Sequence, residues 1–221
     1  MTECTSAKLF SYTQPAIGTP VSGPEEIIAH CARVSSPREY SDRGKDSSGL
    51  LNYCIKNKHW SVFTMCDATV ELELPRDIGR QSIRHWTFDF QEFSQRYSDE
   101  FEFTVREIRR QDSKNRQNSV DDFTPEEKLE FEIDCQTVIE VCNAYYKKWQ
   151  DKGGAKECCR VFLPEGLTMS SMYMKGNLRS WLTYLEVRED VSTQKEHRVL
   201  ANQIRKAIEP VFPTILGLTN E

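Results

Sequence analysis

The sequence predicts a single α+β domain in which a small central β-sheet is covered by helices. At 221 residues the chain is long enough to bury one sizeable core, and no repeat, low-complexity tract or linker divides it. Strand-like alternation of apolar residues occurs over 68–74, whereas helix-like spacing occurs over 24–34, 124–152 and 178–188. We therefore predict one domain over 1–221, with more helices than strands.

Prolines, caps and alternation predict the elements of the first third of the chain. A short strand is expected at Lys8–Tyr12, and Pro24 with acidic residues in its first turn begins a helix. A charged loop over 37–47 leads to a second helix that ends near Lys58. The alternating stretch 68–74 then forms a half-buried strand.

The middle of the chain is predicted to hold two helices with a strand between them. Pro75 begins a helix that runs to about Trp86, and residues 100–108 alternate again. Thr124, followed by proline and glutamates, is a strong helix start, and this helix stops at Gly153. The residues expected to face inward from it are Leu129, Ile133, Val138, Val141, Tyr145 and Trp149.

The last third is predicted to be helical around one strand. A short helix spans Glu157–Leu163, and a strand follows at Thr168–Met174. Asn177 is placed to cap the helix Leu178–Arg188, and a final helix runs from about Ser192 to Ile208.

Composition excludes several classes of function. The formal charge of -5 argues against general nucleic-acid or membrane binding, which needs net basic surface. No apolar run approaches transmembrane length and no secretory signal begins the chain, so we expect a cytoplasmic protein. Eight cysteines without a C-x-x-C spacing indicate free thiols, and four scattered histidines predict no metal site.

The stretch 81–97 concentrates polar groups among aromatics, and its first half is predicted to be helical. Gln81, Arg84 and His85 would share one helical face. Taken alone, an Arg-His pair at a helix end is more often a C-terminal cap than a ligand site.

The second half of this stretch is predicted to be extended. Glu92, Ser94 and Arg96 would then point to one side of a strand, with the intervening residues on the other. Cations, a carboxylate and a hydroxyl converging from two elements indicate a site for an anionic, hydrogen-bonding ligand.

Residues 84–97 read R-H-W-T-F-D-F-Q-E-F-S-Q-R-Y and resemble the signature R-H-R-x-x-S-x-N-E-x-S-x-R-Y of the flavin-dependent thymidylate synthases. The positions that match are Arg84, His85, Glu92, Ser94, Arg96 and Tyr97. Trp86, Asp89 and Gln91 depart from it.

Further segments resemble the family in the same order along the chain. Residues 32–35 look like its A-R-V-S element, and 59–63 lie where it has a His followed by Thr/Ser-Pro-Phe. Residues 160–164 resemble R-x-x-L-P, 177–188 the N-x-R-S helix that ends in arginine, and 194–196 its Q-x-E. The resemblance covers roughly residues 30 to 200. Each of these residues taken alone could have a purely structural role, but their occurrence together in the family's order favours the functional interpretation.

The resemblance implies conversion of dUMP to dTMP. A methylene group from 5,10-methylenetetrahydrofolate is transferred to C5 of uracil, reduced FAD supplies the hydride, and NADPH reloads the flavin. It also implies a homotetramer with active sites at subunit interfaces. No G-x-G-x-x-G occurs, so the flavin site would not be of the Rossmann type.

The resemblance carries site residues over to this chain, with Arg188 as the catalytic arginine that activates the pyrimidine. Asn177 and Arg188 lie on one helical face and were expected to serve one pocket. The dUMP-binding residues implied are Gln81, Arg84, Glu92, Phe93, Ser94, Gln95, Arg96, Arg160 and Arg188. The FAD-binding residues implied are Ser35, His59, Ser61, Arg84, His85, Trp86, Glu92, Asn177, Arg179 and Thr183.

Three departures and two alternatives accompany this hypothesis. Trp86 replaces an arginine, Thr64-Met65 stands where the family often has Glu-His, and Thr183 replaces an Asn or His. The enzyme alternative is the unrelated flavin-free thymidylate synthase, which uses a cysteine thiolate. The non-enzyme alternative is a nucleotide- or single-stranded nucleic-acid-binding module that uses the Arg/aromatic stretch 84–97.

Overall fold

The structure, a computed structural model, describes residues 4–35 and 47–217, except for the side chain of Ser35. Its centre is an antiparallel sheet of four strands in the order β1-β2-β6-β3. These strands are β1 (Ser6–Tyr12), β2 (Asp67–Pro75), β3 (Asp89–Glu92) and β6 (Met169–Asn177). The two short strands β4 (Arg110–Gln111) and β5 (Ser119–Val120) form a separate hairpin.

Eight helices surround the sheet in the described residues. They are α1 (Pro24–Ala32), α2 (Ser48–Lys56), α3 (Arg76–Ile83), α4 (Pro125–Asp151), α5 (Lys156–Cys159), α6 (Leu178–Arg188), α7 (Lys195–Ile208) and α8 (Pro213–Gly217). Short 3-10 segments occupy Arg33–Ser35, Trp60–Met65 and Arg160–Phe162. Of the helices in the described ranges, none combines the length and apolar character that crossing a bilayer requires.

One face of the sheet forms the core. In β2, Val70 and Leu72 are fully buried while Glu71 and Glu73 lie on the opposite face, so the alternation predicted over 68–74 is confirmed. Trp181 of α6 and Leu200 of α7 are fully buried in the same cluster. Apolar burial of this kind contributes about 25 cal/mol per Å2 to folding, and it fixes α6 and α7 relative to the sheet.

Several helix boundaries follow the predicted caps. Thr124 and Glu127 form a capping box at the start of α4. The Asn177 side chain accepts a hydrogen bond from Ser180 N at 3.0 Å, and α6 has the predicted bounds. The mixed α+β fold is confirmed, and the charged loop predicted over 37–47 lies outside the described residues apart from Ser47.

Two predicted extended segments are wrong. Residues 93–97 continue β3 as irregular chain and a turn, because Gln95 turns into the protein and is only 8% exposed. Residues 100–108 form no strand; a single bridge pairs Phe103 with Thr168. The helix predicted from Pro75 to Trp86 is shorter, since Pro75 still belongs to β2 and α3 ends at Ile83.

The predicted inward face of α4 is also wrong. Its buried side chains are Cys135, Ile139 and Tyr146. Positions 129 and 138 are nine residues apart, or two and a half turns, so the predicted set could not share one side of a helix. All of that set are 46–58% exposed, and they are Leu129, Ile133, Val138, Val141, Tyr145 and Trp149.

Four of these residues form a continuous apolar surface at helical spacing, which we name the α4 stripe. It consists of Val138, Val141, Tyr145 and Trp149. Tyr145 stacks on Phe162, with ring centroids 5.8 Å apart and an interplanar angle of 25°. The stripe therefore extends to the segment that carries Arg160.

Candidate active site

Arg188, the last residue of α6, contacts two residues of the predicted signature region. Its Nε donates to Nε2 of His85 at 2.8 Å, and its Nη2 donates to the backbone oxygen of Gln81 at 3.4 Å. The His85 ring meets Tyr184 edge-on, with centroids 4.9 Å apart. The structure thus brings together Gln81, His85 and Arg188, although Arg188 lies more than a hundred residues beyond His85 in the chain.

The electrostatics of this contact leave the charge of Arg188 uncompensated. Burial, with the nearby guanidiniums of Arg188 and Arg84, lowers the pKa of His85 to about 4. The imidazole is therefore neutral at pH 7, and because Nε2 accepts, Nδ1 carries the proton. Burial, with the nearby Arg84, also lowers the pKa of Arg188, but a guanidinium stays protonated at neutral pH. No carboxylate pairs with Arg188 among the described residues.

The Gln81 side chain is held from two sides. Its Nε2 donates to Oε1 of Gln194 at 2.8 Å, and its Oε1 lies 3.2 Å from Nδ1 of His197. His197 is fully buried and contacts the Tyr184 hydroxyl at 2.9 Å. The family resemblance includes Gln81 and the Q-x-E at 194–196, whereas no sequence pattern indicates His197.

Glu92 lies in a cluster of charges at the end of β3. Arg76 Nη1 is 3.2 Å from its Oε1, Arg80 pairs with its Oε2, and Ser170 Oγ donates to it at 3.0 Å. Glu165 also pairs with both arginines, at 3.4 Å. Arg76 and Arg80 were not predicted as site residues. They are four residues apart on the helix that precedes the signature, and this spacing places both on one helical face, which could have indicated them.

The predicted nucleotide residues after Glu92 do not line up beside it. Arg96, on the turn, pairs with Glu157 of α5 at 3.1 Å and is more than half exposed. Ser94 accepts from the backbone nitrogen of Arg96 at 3.4 Å, and Phe93 is 37% exposed. Arg160 is exposed and has no ion-pair partner among the described residues. Arg84, the remaining arginine of the predicted set, follows α3 and is exposed.

The predicted flavin residues of α6 lie at its N-terminal end and on its exposed side. Asn177 caps the helix, Arg179 is exposed, and Thr183 donates to the backbone oxygen of Arg179 at 3.1 Å. Asn177 and Arg188 were expected to share a pocket, but they lie about 16 Å apart along the helix axis. The face between them carries Trp181, which is fully buried, so that face belongs to the core.

Two further predicted groups border the same region. His59 and Ser61 are exposed around the 3-10 segment that packs against α6. Trp86 is 89% exposed, and the neighbouring backbone oxygen of Thr87 accepts from Ser180 Oγ at 3.3 Å. The side chain of Ser35, the last predicted flavin residue, lies outside the described residues.

The donor chemistry of this region fits a flavin dinucleotide. Arg84 and Arg179 offer guanidiniums to phosphates, Asn177 and Ser61 offer polar groups, and Trp86 offers an exposed indole for stacking. Arg84, Arg179, Ser61 and Trp86 are exposed in the described part of the chain. An FAD site here would need further residues to enclose the flavin.

Four of the eight cysteines have thiols that burial makes less reactive. Burial is the largest cause that raises the pKa of Cys66 to about 12, and it also raises the pKa of Cys4, Cys54 and Cys135. A nucleophilic cysteine needs a lowered pKa and access to solvent. These four thiols therefore do not suit the cysteine-dependent alternative.

In the described residues, the predicted site falls into groups that no hydrogen bond or ion pair connects to one another. One holds Gln81, His85 and Arg188, a second surrounds Glu92, and a third includes Arg96 and Arg160. The flavin residues beside α6 form the fourth. The arrangement collects guanidiniums on the surface of a small α+β domain, and this defines a protein built to bind anionic ligands.

Comparison with known proteins identifies the family. The family model for thymidylate synthase complementing protein matches residues 11–214. The flavin-dependent thymidylate synthase of Synechocystis sp. is 46% identical over 211 residues, covering 94% of this chain and 96% of the relative. A probable flavin-dependent thymidylate synthase of Paramecium bursaria Chlorella virus 1 is 42% identical, covering 95% and 96%. The chain belongs to the family of flavin-dependent thymidylate synthases, so the resemblance seen in the sequence is confirmed.

Solved structures show the same fold. A UMP/dUMP methylase, PolB from Streptomyces cacaoi, bound with 5-Br UMP superposes with a TM-score of 0.80 at 22% identity, covering 96% of this chain and 92% of that one. Its complex with 5-Br dUMP gives a TM-score of 0.81, covering 98% and 94%.

Proposed function

We propose that this protein is a thymidylate synthase that transfers the methylene of 5,10-methylenetetrahydrofolate to C5 of dUMP and yields dTMP. FAD, when bound, supplies the hydride that completes the methyl group, and NADPH reduces it again. The observation that carries the proposal is the uncompensated guanidinium of Arg188, held by a neutral histidine within a confirmed member of this family.

Arg188 suits the activation of a pyrimidine. Uracil C5 becomes nucleophilic when negative charge accumulates on the ring, and a fixed cation beside the ring stabilises that charge. A carboxylate partner would cancel this effect, whereas the neutral Nε2 of His85 orients the guanidinium without cancelling its charge. Arg188 is accordingly the catalytic residue and His85 orients it.

The nucleotide phosphate needs guanidiniums that have room to form bidentate contacts. Arg96 and Arg160 are exposed, and we assign the phosphate to them together with Ser94. Gln81 and the residues around Glu92 would contact the rest of dUMP. Arg76 and Arg80 hold the Glu92 carboxylate in place and join this assignment.

A homotetramer with active sites between subunits would bring these groups together. They are separated within one chain, and the flavin residues lie open on the surface. The α4 stripe is the apolar surface best suited to a second copy, because Tyr145 stacks on Phe162, two residues from Arg160. A copy seated there would lie beside the proposed phosphate site.

We also propose that the enzyme is cytoplasmic, since its eight cysteines are free.

The visible spectrum and the reaction product test the function together. We expect the purified protein to be yellow or to become so with added FAD, and to form dTMP from dUMP, the folate and NADPH. A protein that gains no flavin on reconstitution and forms no dTMP contradicts the proposal. A protein that forms dTMP without flavin, and loses activity on thiol alkylation, would instead support the cysteine-dependent alternative.

A further inference from the structure

Gln81 belongs to a chain of hydrogen bonds whose direction is fixed by Glu196. The Glu196 carboxylate pairs with Arg109 at 2.8 Å and lies only 7% exposed. An ionised carboxylate only accepts, so the Gln194 amide must donate to it, which it does at 2.9 Å. Gln194 Oε1 then accepts, and it does so from Gln81 Nε2 at 2.8 Å.

The other end of the chain is fixed by Tyr184 and His197. The Tyr184 hydroxyl lies 2.9 Å from Nε2 of His197, while the other nearby hydroxyl, of Ser82, donates to the Ile78 carbonyl oxygen. Because the Glu196 end leaves Gln81 Oε1 as an acceptor, Nδ1 of His197 carries the proton and donates to it at 3.2 Å, and the unprotonated Nε2 accepts from Tyr184.

Burial favours this assignment of protons. It is the largest cause that lowers the pKa of His197 to about 3, with Arg188 and His85 adding to it, so the ring is neutral at pH 7. Burial also raises the pKa of Tyr184, which keeps its proton as a donor. A neutral His197 and a protonated Tyr184 thus match the orientation of the Gln81 amide that Glu196 sets.

This leaves the half-buried Gln81 amide with one N–H that has no acceptor among the described residues. The backbone oxygen of the same residue accepts from the catalytic Arg188. We propose that Tyr184 and His197 are positioning residues that fix the Gln81 amide so that its remaining N–H is offered to a carbonyl oxygen of the bound pyrimidine. This inference rests on the proposed function, because it takes the ligand to be dUMP.

A flipped amide would be doubly unfavourable. Its nitrogen would face the Nδ1–H of His197, its oxygen would face Oε1 of Gln194, and two buried polar pairs would lose their hydrogen bonds. The flipped form would also present an oxygen where the pyrimidine oxygen is expected. Without His197 as a donor, the amide loses one of its two constraints.

Two substitutions of His197 separate positioning from packing. The nitrogen of an asparagine side chain occupies about the place of the histidine Nδ1, and that of a glutamine about the place of Nε2. His197→Asn therefore keeps the donor to Gln81, and His197→Gln keeps only the contact with Tyr184. In the FAD-loaded enzyme we expect His197→Gln to raise the Kd for dUMP about tenfold, with kcat at saturating dUMP changed less than about threefold.

The matched variant distinguishes the outcomes. His197→Asn should bind dUMP within about threefold of the wild type, with similar flavin content and melting temperature in both variants. Equal affinity in all three proteins, or equal losses in both variants that follow a common fall in melting temperature, would overturn the inference.

A second probe covers the case in which His197→Gln does not fold. Tyr184→Phe removes the hydroxyl that sets the His197 tautomer and should raise the Kd for dUMP several-fold. Tyr146→Phe is its control, because Tyr146 is equally buried and its hydroxyl has no partner among the described residues. Unchanged affinity in Tyr184→Phe would overturn the inference, whereas a wild-type enzyme with no affinity for dUMP would overturn the proposed function itself.

Discussion

The guanidinium of Arg188 has a neutral imidazole as its side-chain partner, and this pairing is the most informative contact of the site. An arginine near the end of a helix ordinarily complements the helix dipole or pairs with a carboxylate. Here its Nε contacts His85 instead. Its charge therefore remains available to a ligand.

We expect Arg188→Ala to abolish dTMP formation, with a loss of at least about a hundredfold in kcat, because the cation that stabilises charge on the pyrimidine is removed. Bound flavin should remain largely in place, since His85 is the only predicted flavin residue to which Arg188 hydrogen-bonds in the described part of the chain. The measurement is dTMP formation together with the flavin absorbance per subunit. Arg116→Ala, at an exposed position, is the control, and full activity of Arg188→Ala would refute the assigned role.

Two histidines make stability depend on pH. The pKa values of His85 and His197 are lowered from 6.5 to about 4 and about 3 in the folded protein. The unfolded chain therefore binds more protons between these values, so stability is fully present above about pH 6.5 and is lost as the pH falls. We expect the melting temperature to fall between about pH 7 and pH 5.

His197→Asn tests the origin of this dependence. The variant lacks one of the two depressed histidines, so its melting temperature should change less over the same pH interval than that of the wild type. Both proteins carry the same carboxylates, so the contribution of these groups is common to the two curves. An identical pH dependence in both proteins would show that His197 is not responsible.

Single residues of the site could be predicted from sequence, but their contacts could not. The family resemblance predicts Gln81, His85 and Arg188 as functional residues. Gln81 is fixed by His197, which lies 116 residues further along the chain. No local sequence pattern can predict a contact between residues so far apart in sequence. Only the packing of α3 and α7 on the same sheet brings the two together.

At the scale of elements, the helix boundaries that could be predicted are those set by hydrogen bonds between neighbouring residues. Asn177 and the capping box at Thr124 fix the starts of α6 and α4 through short hydrogen bonds. The extended structure expected over 93–97 failed because alternation alone cannot show that Gln95 turns inward. The short strand β3 and the helix α8 were not predicted, since both depend on tertiary contacts.

Gly176 of β6 allows the sheet to approach the signature region closely. A Cβ at this position would lie 2.5 Å from the ring of Phe88, which packs edge-on against Trp181. We expect Gly176→Ala to lower the free energy of unfolding by about 1–3 kcal/mol, because a buried ring must move. Urea denaturation measures this change.

Gly49→Ala is the matched control for that substitution. Gly49 lies in α2, and a Cβ there would meet no atom of the described residues within 4 Å. Alanine in a helix should be neutral or stabilising by up to about 1 kcal/mol. Equal effects of the two substitutions would show that the contact with Phe88 is not the cause.

At the scale of the whole molecule, the exposed α4 stripe and the divided site favour assembly. We expect Val141→Asp to lower the mass in solution and to reduce dTMP formation in parallel, because it places a charge in an apolar contact. Val141 is 50% exposed, so the substitution should cost the isolated subunit little. Light scattering coupled to gel filtration measures the mass.

Leu129→Asp is the control, since Leu129 is similarly exposed on the opposite side of α4. It should leave the mass unchanged. If Val141→Asp also keeps the wild-type mass, the α4 stripe is not the subunit contact.

The topology of the main sheet has a consequence for how the chain acquires its structure. Neighbouring strands of this sheet are never joined as hairpins. The paired residues that are closest in sequence are Tyr12 and Ala68, and the residues that pair between β2 and β6 are 94 to 110 positions apart. Each ladder must close a long loop before it gains any hydrogen bond, which slows folding to milliseconds or longer. During synthesis β2 leaves the ribosome several seconds before β6 exists, at about 5–20 residues per second. Until then the edge of β2 that pairs with β6 has no partner strand, and we expect the nascent chain to benefit from chaperones over this interval.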